Sequence, residues 1–158
     1  MKRLALVGLA LTLAGLGLAV GFWPLLSVSG ADLLASRNVN PPSYYGYSPG
    51  ARITIHERVL AVSVFNFFGS QVTSLELDDS SAQQTTLVYV QGDASGVVKA
   101  GDVIFASAVL RFVPSGNFYY WEIATPGDVH PSWPVDAVFY ATMAVGVTVL
   151  AYAALRRP

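Results

Sequence analysis

The chain has 158 residues, 53% of them hydrophobic and only 12% charged, no cysteine, and a formal net charge of −1. About 25% charged residues is usual in a soluble protein, so the deficit points to membrane-embedded segments, while the near-neutral total says nothing about partners. The absence of cysteine excludes disulfides, thiolate metal sites, a cysteine nucleophile and thioether-linked haem, so any folded domain is held by core packing.

From Leu4 to Leu26 the only polar side chain is Thr12. A helix over that run would be roughly 34 Å long, enough for a hydrocarbon layer of about 30 Å. Lys2 and Arg3 precede it, and Phe22, Trp23 and Pro24 stand where interfacial aromatics and a helix stop are expected. The same stretch has features of a secretory signal: a basic start, and small residues Ser27-Val28-Ser29 ahead of Gly30. Its apolar run is longer than the 7–15 residues of a typical signal core, so it is read as a retained anchor. A second span is expected from Val135 to Leu155, with Asp136 at its mouth, Trp133 and Tyr152 near its ends, and Arg156 and Arg157 beyond it. Both basic pairs flank the outer ends of these spans, and the positive-inside rule puts both termini in the cytoplasm and the centre outside. Residues 28–134 agree, with five basic against nine acidic side chains, a net of −4.

Between the spans, residues 28–50 read as a linker. A short helix over Ala31–Arg37, capped near Ser29, leads into a Pro-, Gly- and Tyr-rich loop through Gly50. Tyr44, Tyr45 and Tyr47 are expected to pack that loop onto the following domain. From Ala51 the pattern turns to β-branched and aromatic residues at period two. Strands are expected over Arg52–Phe65, bent at His56-Glu57-Arg58, and over Val72–Leu77, with Thr73, Leu75 and Leu77 on one face. Asp78-Asp79-Ser80-Ser81 then turns into a third strand, Thr86–Gln91. A fourth, Val103–Phe112, is apolar enough to be buried on both faces, and a fifth follows at Phe118–Ile123.

Five strands, the first long and bent and the largest gap before the fourth, resemble the OB-fold barrel. Gly101-Asp102-x-Ile104 resembles the segment that leads into the fourth OB strand, with glycine at the turn and aspartate capping it. The expected fold class is therefore mainly β: a membrane helix in residues 1–27, a linker in 28–50, an OB-like β-barrel in 51–130, and a membrane helix with a basic tip in 131–158. A membrane-tethered OB family, the haem chaperone of cytochrome c maturation, is similar in having an N-terminal anchor before a small barrel. That family's haem-attaching histidine follows the barrel. The candidate here, His130, stands four residues before the second span, and that span departs from the family plan.

Catalytic and metal chemistry find little footing. His56 and Glu57 are neighbours on a strand and point to opposite faces, and His130 belongs to a stiff lead-in, His130-Pro131-Ser132-Trp133-Pro134. No serine lies in a Gly-x-Ser-x-Gly elbow. Gly92-Asp93-Ala94-Ser95-Gly96 lacks the lysine and helix of a phosphate loop, and Asp78-Asp79 lacks the spaced oxygen ligands of an EF-type calcium loop. No enzyme activity, cofactor or metal is expected. Nucleic acid, the first ligand an OB resemblance implies, needs a basic groove beside stacking aromatics. Phe65, Phe67 and Phe68, and Phe118, Tyr119, Tyr120 and Trp121, could supply the aromatics, but a net of −4 opposes it unless Arg58, Lys99 and Arg111 gather. The candidate ligand contacts are Arg58, Lys99, Arg111, Tyr119 and Trp121. The expected partners are the lipid bilayer and another membrane or cell-surface protein. In the spans, Gly8, Gly15 and Gly17, and Ala137, Ala141, Ala144 and Thr148, offer small faces for helix pairing.

Overall fold

A computed structural model describes residues 2–39, 42–67, 69–79 and 85–155. Asn40, Pro41, Phe68, Ser80, Ser81, Arg156 and Arg157, which enter the expectations above, lie outside the described residues. The chain divides into two compact units, Met1–Leu26 with Trp133–Pro158, and Ser27–Ser132. The first holds two long helices, α1 (Lys2–Leu26) and α3 (Trp133–Leu155), and the second begins with the short helix α2 (Gly30–Ser36).

Helices α1 and α3 are 25 and 23 residues long, and both are long and apolar enough to cross a membrane. They pair antiparallel: Gly8 of α1 lies against Leu150 and Gly15 against Met143 of α3. A Cβ on Gly15 would stand 2.6 Å from the Met143 backbone nitrogen, and one on Gly146 would run into Thr12, so the backbones touch where side chains are missing. Phe22 and Phe139 meet further along, ring centroids 5.0 Å apart, and Trp23 Nε1 donates a hydrogen bond to Asp136 Oδ1 at 2.7 Å. An aspartate in apolar surroundings needs such a donor. One expectation is corrected here. The helix runs through Pro24 to Leu26, because a proline in the last turn removes only one late backbone bond. The buried positions of α3 are Phe139, Gly146 and Ala153, seven residues apart as in a helix–helix seam. Ala137, Ala141, Ala144 and Thr148 are exposed on other sides, as is Gly17.

In the second unit, α2 opens on a capping box: Ser29 Oγ accepts from the Asp32 N–H, and Asp32 answers to the Ser29 N–H. Leu33 then enters the core fully buried. A hairpin follows, β1 (Arg37–Val39) against β2 (Pro42–Tyr44). Five strands make the body: β3 (Arg52–Phe67), β4 (Ser70–Leu77), β5 (Thr86–Gln91), β6 (Val103–Val113) and β7 (Phe118–Ile123), with a three-residue edge strand β8 (Val129–Pro131) on β6. Strand β3 serves two partners. Arg52–Arg58 pair antiparallel with β6, and Val59–Phe67 pair antiparallel with β4. Strand β5 runs antiparallel to β4 and parallel to β7, and β7 returns antiparallel to β6. The order β3-β4-β5-β7-β6, with β3 also on β6, is a five-stranded Greek-key sheet of OB-like type. Its thinnest ladder is β5–β7, only Val88–Val90 against Trp121–Ile123.

Three local expectations are corrected. His56-Glu57-Arg58 pair regularly with Phe105-Ile104-Val103; the irregularity falls between Val59 and Ala61, where β3 changes partner from β6 to β4. Strand β6 is not buried on both faces: Ile104, Ala106, Ala108 and Leu110 point inward while Ser107 and Arg111 are exposed. Of the three tyrosines expected to pack residues 28–50 onto the domain, Tyr44 and Tyr47 do so against Trp121, and Leu33 and Val28 join them, but Tyr45 is 87% exposed. Gly101 and Asp102 do perform their turn. Gly101 adopts φ +95°, its N–H bonds the Val59 carbonyl at 2.7 Å, and Asp102 Oδ2 accepts from the Lys99 N–H at 2.8 Å.

The core centres on Trp121, 0% exposed, with Ile55, Leu75, Leu110 and Ile123 around it. Tyr44 and Tyr47 stand edge-on to its ring at 5.5 and 5.3 Å, a favoured aromatic geometry. Its Nε1–H meets no hydrogen-bond acceptor among the described residues. Thr73, also buried, is satisfied twice: Oγ1 donates to the Gly92 carbonyl at 2.7 Å and accepts from the Ala94 N–H at 2.9 Å.

Candidate functional site: an aromatic groove

Alternation along the strands decides which aromatics meet solvent. On β7, Trp121 and Ile123 are buried, so Phe118 and Tyr120 turn to the other face. On β5, Thr86, Val88 and Val90 are buried, so Leu87, Tyr89 and Gln91 share that outer face. Beyond the irregularity at Leu60, Phe65 and Phe67 of β3 join them, half-exposed at 39% and 56%. The rings form a connected row, Phe65 to Tyr89 at 6.4 Å, Tyr89 to Tyr120 at 5.7 Å and Tyr120 to Phe118 at 6.1 Å.

These side chains line a concave groove of about 620 Å³, bounded by the tips of the β3–β4 and β6–β7 hairpins. It opens where the β5–β7 ladder stops, with Leu87 on one side and Tyr119 and Tyr120 on the other, and Tyr44 and Arg37 of the β1–β2 hairpin also reach it. The volume lies within the roughly 300–1,000 Å³ of small-molecule sites. Among the described residues of the lining, Arg37 is the only charged one; Gln91 and Ser115 supply polar groups. Beside the groove, Glu122 accepts from Gln91 Nε2 at 2.7 Å and from Arg111 Nε, which ties β5, β7 and β6 together. That carboxylate holds the Arg111 proton more tightly than usual. Burial pushes the Tyr120 phenol above its ordinary pKa, helped by the Glu122 charge, and burial raises Tyr44 as well, against the opposing pull of Arg37.

The five residues expected to contact a ligand are scattered. Arg58 pairs with Val103 at the start of β6, and Lys99 sits in the turn just before it. Arg111 lies eight residues further along the same strand, roughly 26 Å away at about 3.3 Å per residue. The three cations do not form one surface. Tyr119 lines the groove half-buried, its ring 4.7 Å from Phe112. Trp121 is wholly within the core and presents nothing to a ligand. Sequence reasoning missed Tyr89 and Arg37 as groove residues, and named Phe65, Phe67, Phe118 and Tyr120 only as available aromatics. His130 is exposed on β8, 5.2 Å from the Phe105 ring. Among the described residues, no three histidine, cysteine or acidic side chains gather as a metal site.

No family model and no curated protein matches the chain. Among solved structures it is similar to the second OB-fold domain of replication protein A from Methanococcus maripaludis, solved by solution NMR. The two are 18% identical with a TM-score of 0.36, over 52% of this chain and 85% of that one. So loose a superposition leaves the OB-like assignment to rest on the strand order itself.

Proposed function

We propose that the protein is a non-enzymatic, membrane-tethered binding module, a subunit or accessory of a membrane complex, which holds its ligand or partner in the aromatic groove of an OB-like domain outside the cytoplasm. The observation that carries this reading is the row Phe65, Tyr89, Tyr120 and Phe118, gathered in one concavity and left open to solvent. Apolar rings in a concave, nearly uncharged setting favour recognition by contact area. The separation of Arg58, Lys99 and Arg111 argues against phosphate-backbone binding, which requires cations side by side.

The membrane placement is supported by two apolar helices of spanning length and by basic pairs at both chain tips. Antiparallel pairing adds to it by bringing the start of α1 and the end of α3 to the same end of the helical unit. Anchoring at both ends of the domain limits its reach and raises its effective concentration towards membrane neighbours.

Because the chain has no cysteine, introduced ones report cleanly. A cysteine at exposed Ala100 should react with an impermeant maleimide on intact cells, and one appended after Pro158 only after permeabilisation; the reverse pattern overturns the orientation. Binding is tested by cross-linked co-purification from detergent extract. The Phe65→Ala/Tyr120→Ala pair should lose the wild-type partner while its thermal melt persists, and retention of the partner would remove the groove from function.

A further inference from the structure

The groove has an electrostatic asymmetry that its aromatic character hides. Among the described residues, its walls hold phenyl, phenol and aliphatic groups with no carboxylate, and their one formal charge is Arg37, on the first strand of the small hairpin. Arg111, outside the lining, is neutralised by Glu122; Arg37 makes no salt bridge among the described residues. A neutral apolar trough with a single uncompensated guanidinium is complementary to a molecule with an apolar body and one anionic end. Arginine binds carboxylates through a planar fork of donors, and such charge-assisted bonds are stronger than neutral ones. The apolar body would cover the half-exposed rings of Phe65, Phe67 and Phe118, which water solvates poorly.

We infer that the groove binds a single-chain anionic amphiphile of the long-chain carboxylate class, its head on Arg37 and its chain along the Phe65–Tyr89–Tyr120 row. A volume of about 620 Å³ suits one such chain, within the range of small-molecule sites. Gln91 and Ser115 are the remaining polar groups of the lining and are available to a second head-group oxygen. The ligand class rests on the membrane-tethered reading for its supply, since the bilayer is the reservoir of such amphiphiles. It does not depend on which protein the module accompanies. An extended acidic peptide is the competing occupant. It is disfavoured because most of its main-chain donors and acceptors would face rings, and buried unpaired polar groups are costly.

The test uses the full chain in lipid nanodiscs and a long-chain carboxylate bearing a photoactivatable diazirine near its tail, with labelled residues mapped by mass spectrometry. Labelling should fall on the β3 and β7 aromatics and be competed by the unlabelled fatty acid. It should drop at least about ten-fold with Arg37→Gln and survive with Arg37→Lys. The methyl ester of the probe, which keeps the chain and loses the charge, should not label the groove. Equal labelling by acid and ester, indifference to Arg37→Gln, or labelling confined to the two long helices would overturn the inference. Displacement of the probe by an acidic peptide but not by unlabelled fatty acid would do the same and assign the groove to a polypeptide. Because Arg37 is exposed, unchanged melts should separate lost binding from lost folding. Partner co-purification that needs Phe65 and Tyr120 without any carboxylate labelling would leave the binding-module reading standing and remove only this one.

Discussion

The two units of this chain distribute apolar groups in opposite ways. In the helical unit the buried positions of α1 are glycines, Gly8 and Gly15, while large side chains point outward, Val20 at 68% and Leu25 at 84% exposure. In the β unit the largest buried side chain is Trp121, and the surface carries most of the charge of the chain. Each arrangement suits the surroundings proposed for it, lipid for the helices and water for the strands. Between lipid-facing helices there is no hydrophobic drive, so contact depends on small residues that let backbones approach. In water the drive is burial of large apolar surface. One chain thus carries two packing rules, and the changes that break one should spare the other.

The largest effect is expected from Trp121→Ala, which empties the centre of the β core and should cost about 3–5 kcal/mol. Near-ultraviolet circular dichroism and limited proteolysis would show the domain unfolded, while cross-linking between cysteines placed at Phe22 and Phe139 would continue. Gly15→Val should do the converse. Overpacking against the Met143 backbone, at about 1–3 kcal/mol, should lower that cross-link several-fold and leave the domain melt in place. Thr73→Val keeps the shape but leaves the Gly92 carbonyl and the Ala94 N–H unpaired, a loss of about 1–3 kcal/mol visible as a lower urea midpoint.

The smallest effect concerns pH. The folded-state pKa of Tyr44 is raised, chiefly by burial, so the unfolded chain releases its phenolic proton first. The stability linked to this group is fully present below the ordinary phenol pKa of about 10 and is lost as pH rises through the higher folded value. Wild-type domain stability should therefore fall above pH 10, and Tyr44→Phe should fall less over the same window. The helical unit, read by the Phe22–Phe139 cross-link, should not respond.

Much of the fold was legible because period two is hard to disguise. Thr73, Leu75 and Leu77 alternate with Ser74 and Glu76, and the structure buries the first three. Thr86–Gln91 and Phe118–Ile123 begin and end where their patterns do. The bend in β3 is not legible from polarity: His56-Glu57-Arg58 mark no irregularity, and the break follows the change of partner at Leu60. Nothing local at Val39 or Pro42 announces a hairpin; Tyr44 holds it by packing on Trp121, a contact between distant parts of the chain. On β7 the phase of the pattern separates the rings. In Phe118-Tyr119-Tyr120-Trp121-Glu122-Ile123, a charged Glu122 facing outward turns Phe118 and Tyr120 outward with it and sends Trp121 into the core, while Tyr119 is half-buried and still lines the groove. Arg37 left no signal, because only the hairpin fold brings it to the groove.

The pairing of α1 with α3 also bears on how the domain recovers from damage. Residues 27–132 are tied off at both ends by that pairing, so an unfolded domain whose helices stay together is a closed ring, not an open chain. By analogy with a cross-link across about 100 residues, ring closure removes about 5 kcal/mol of disorder from the denatured ensemble. Refolding then begins from a state whose ends have already met, and Gly8, Gly15 and Gly146 lend durability to a domain they do not belong to.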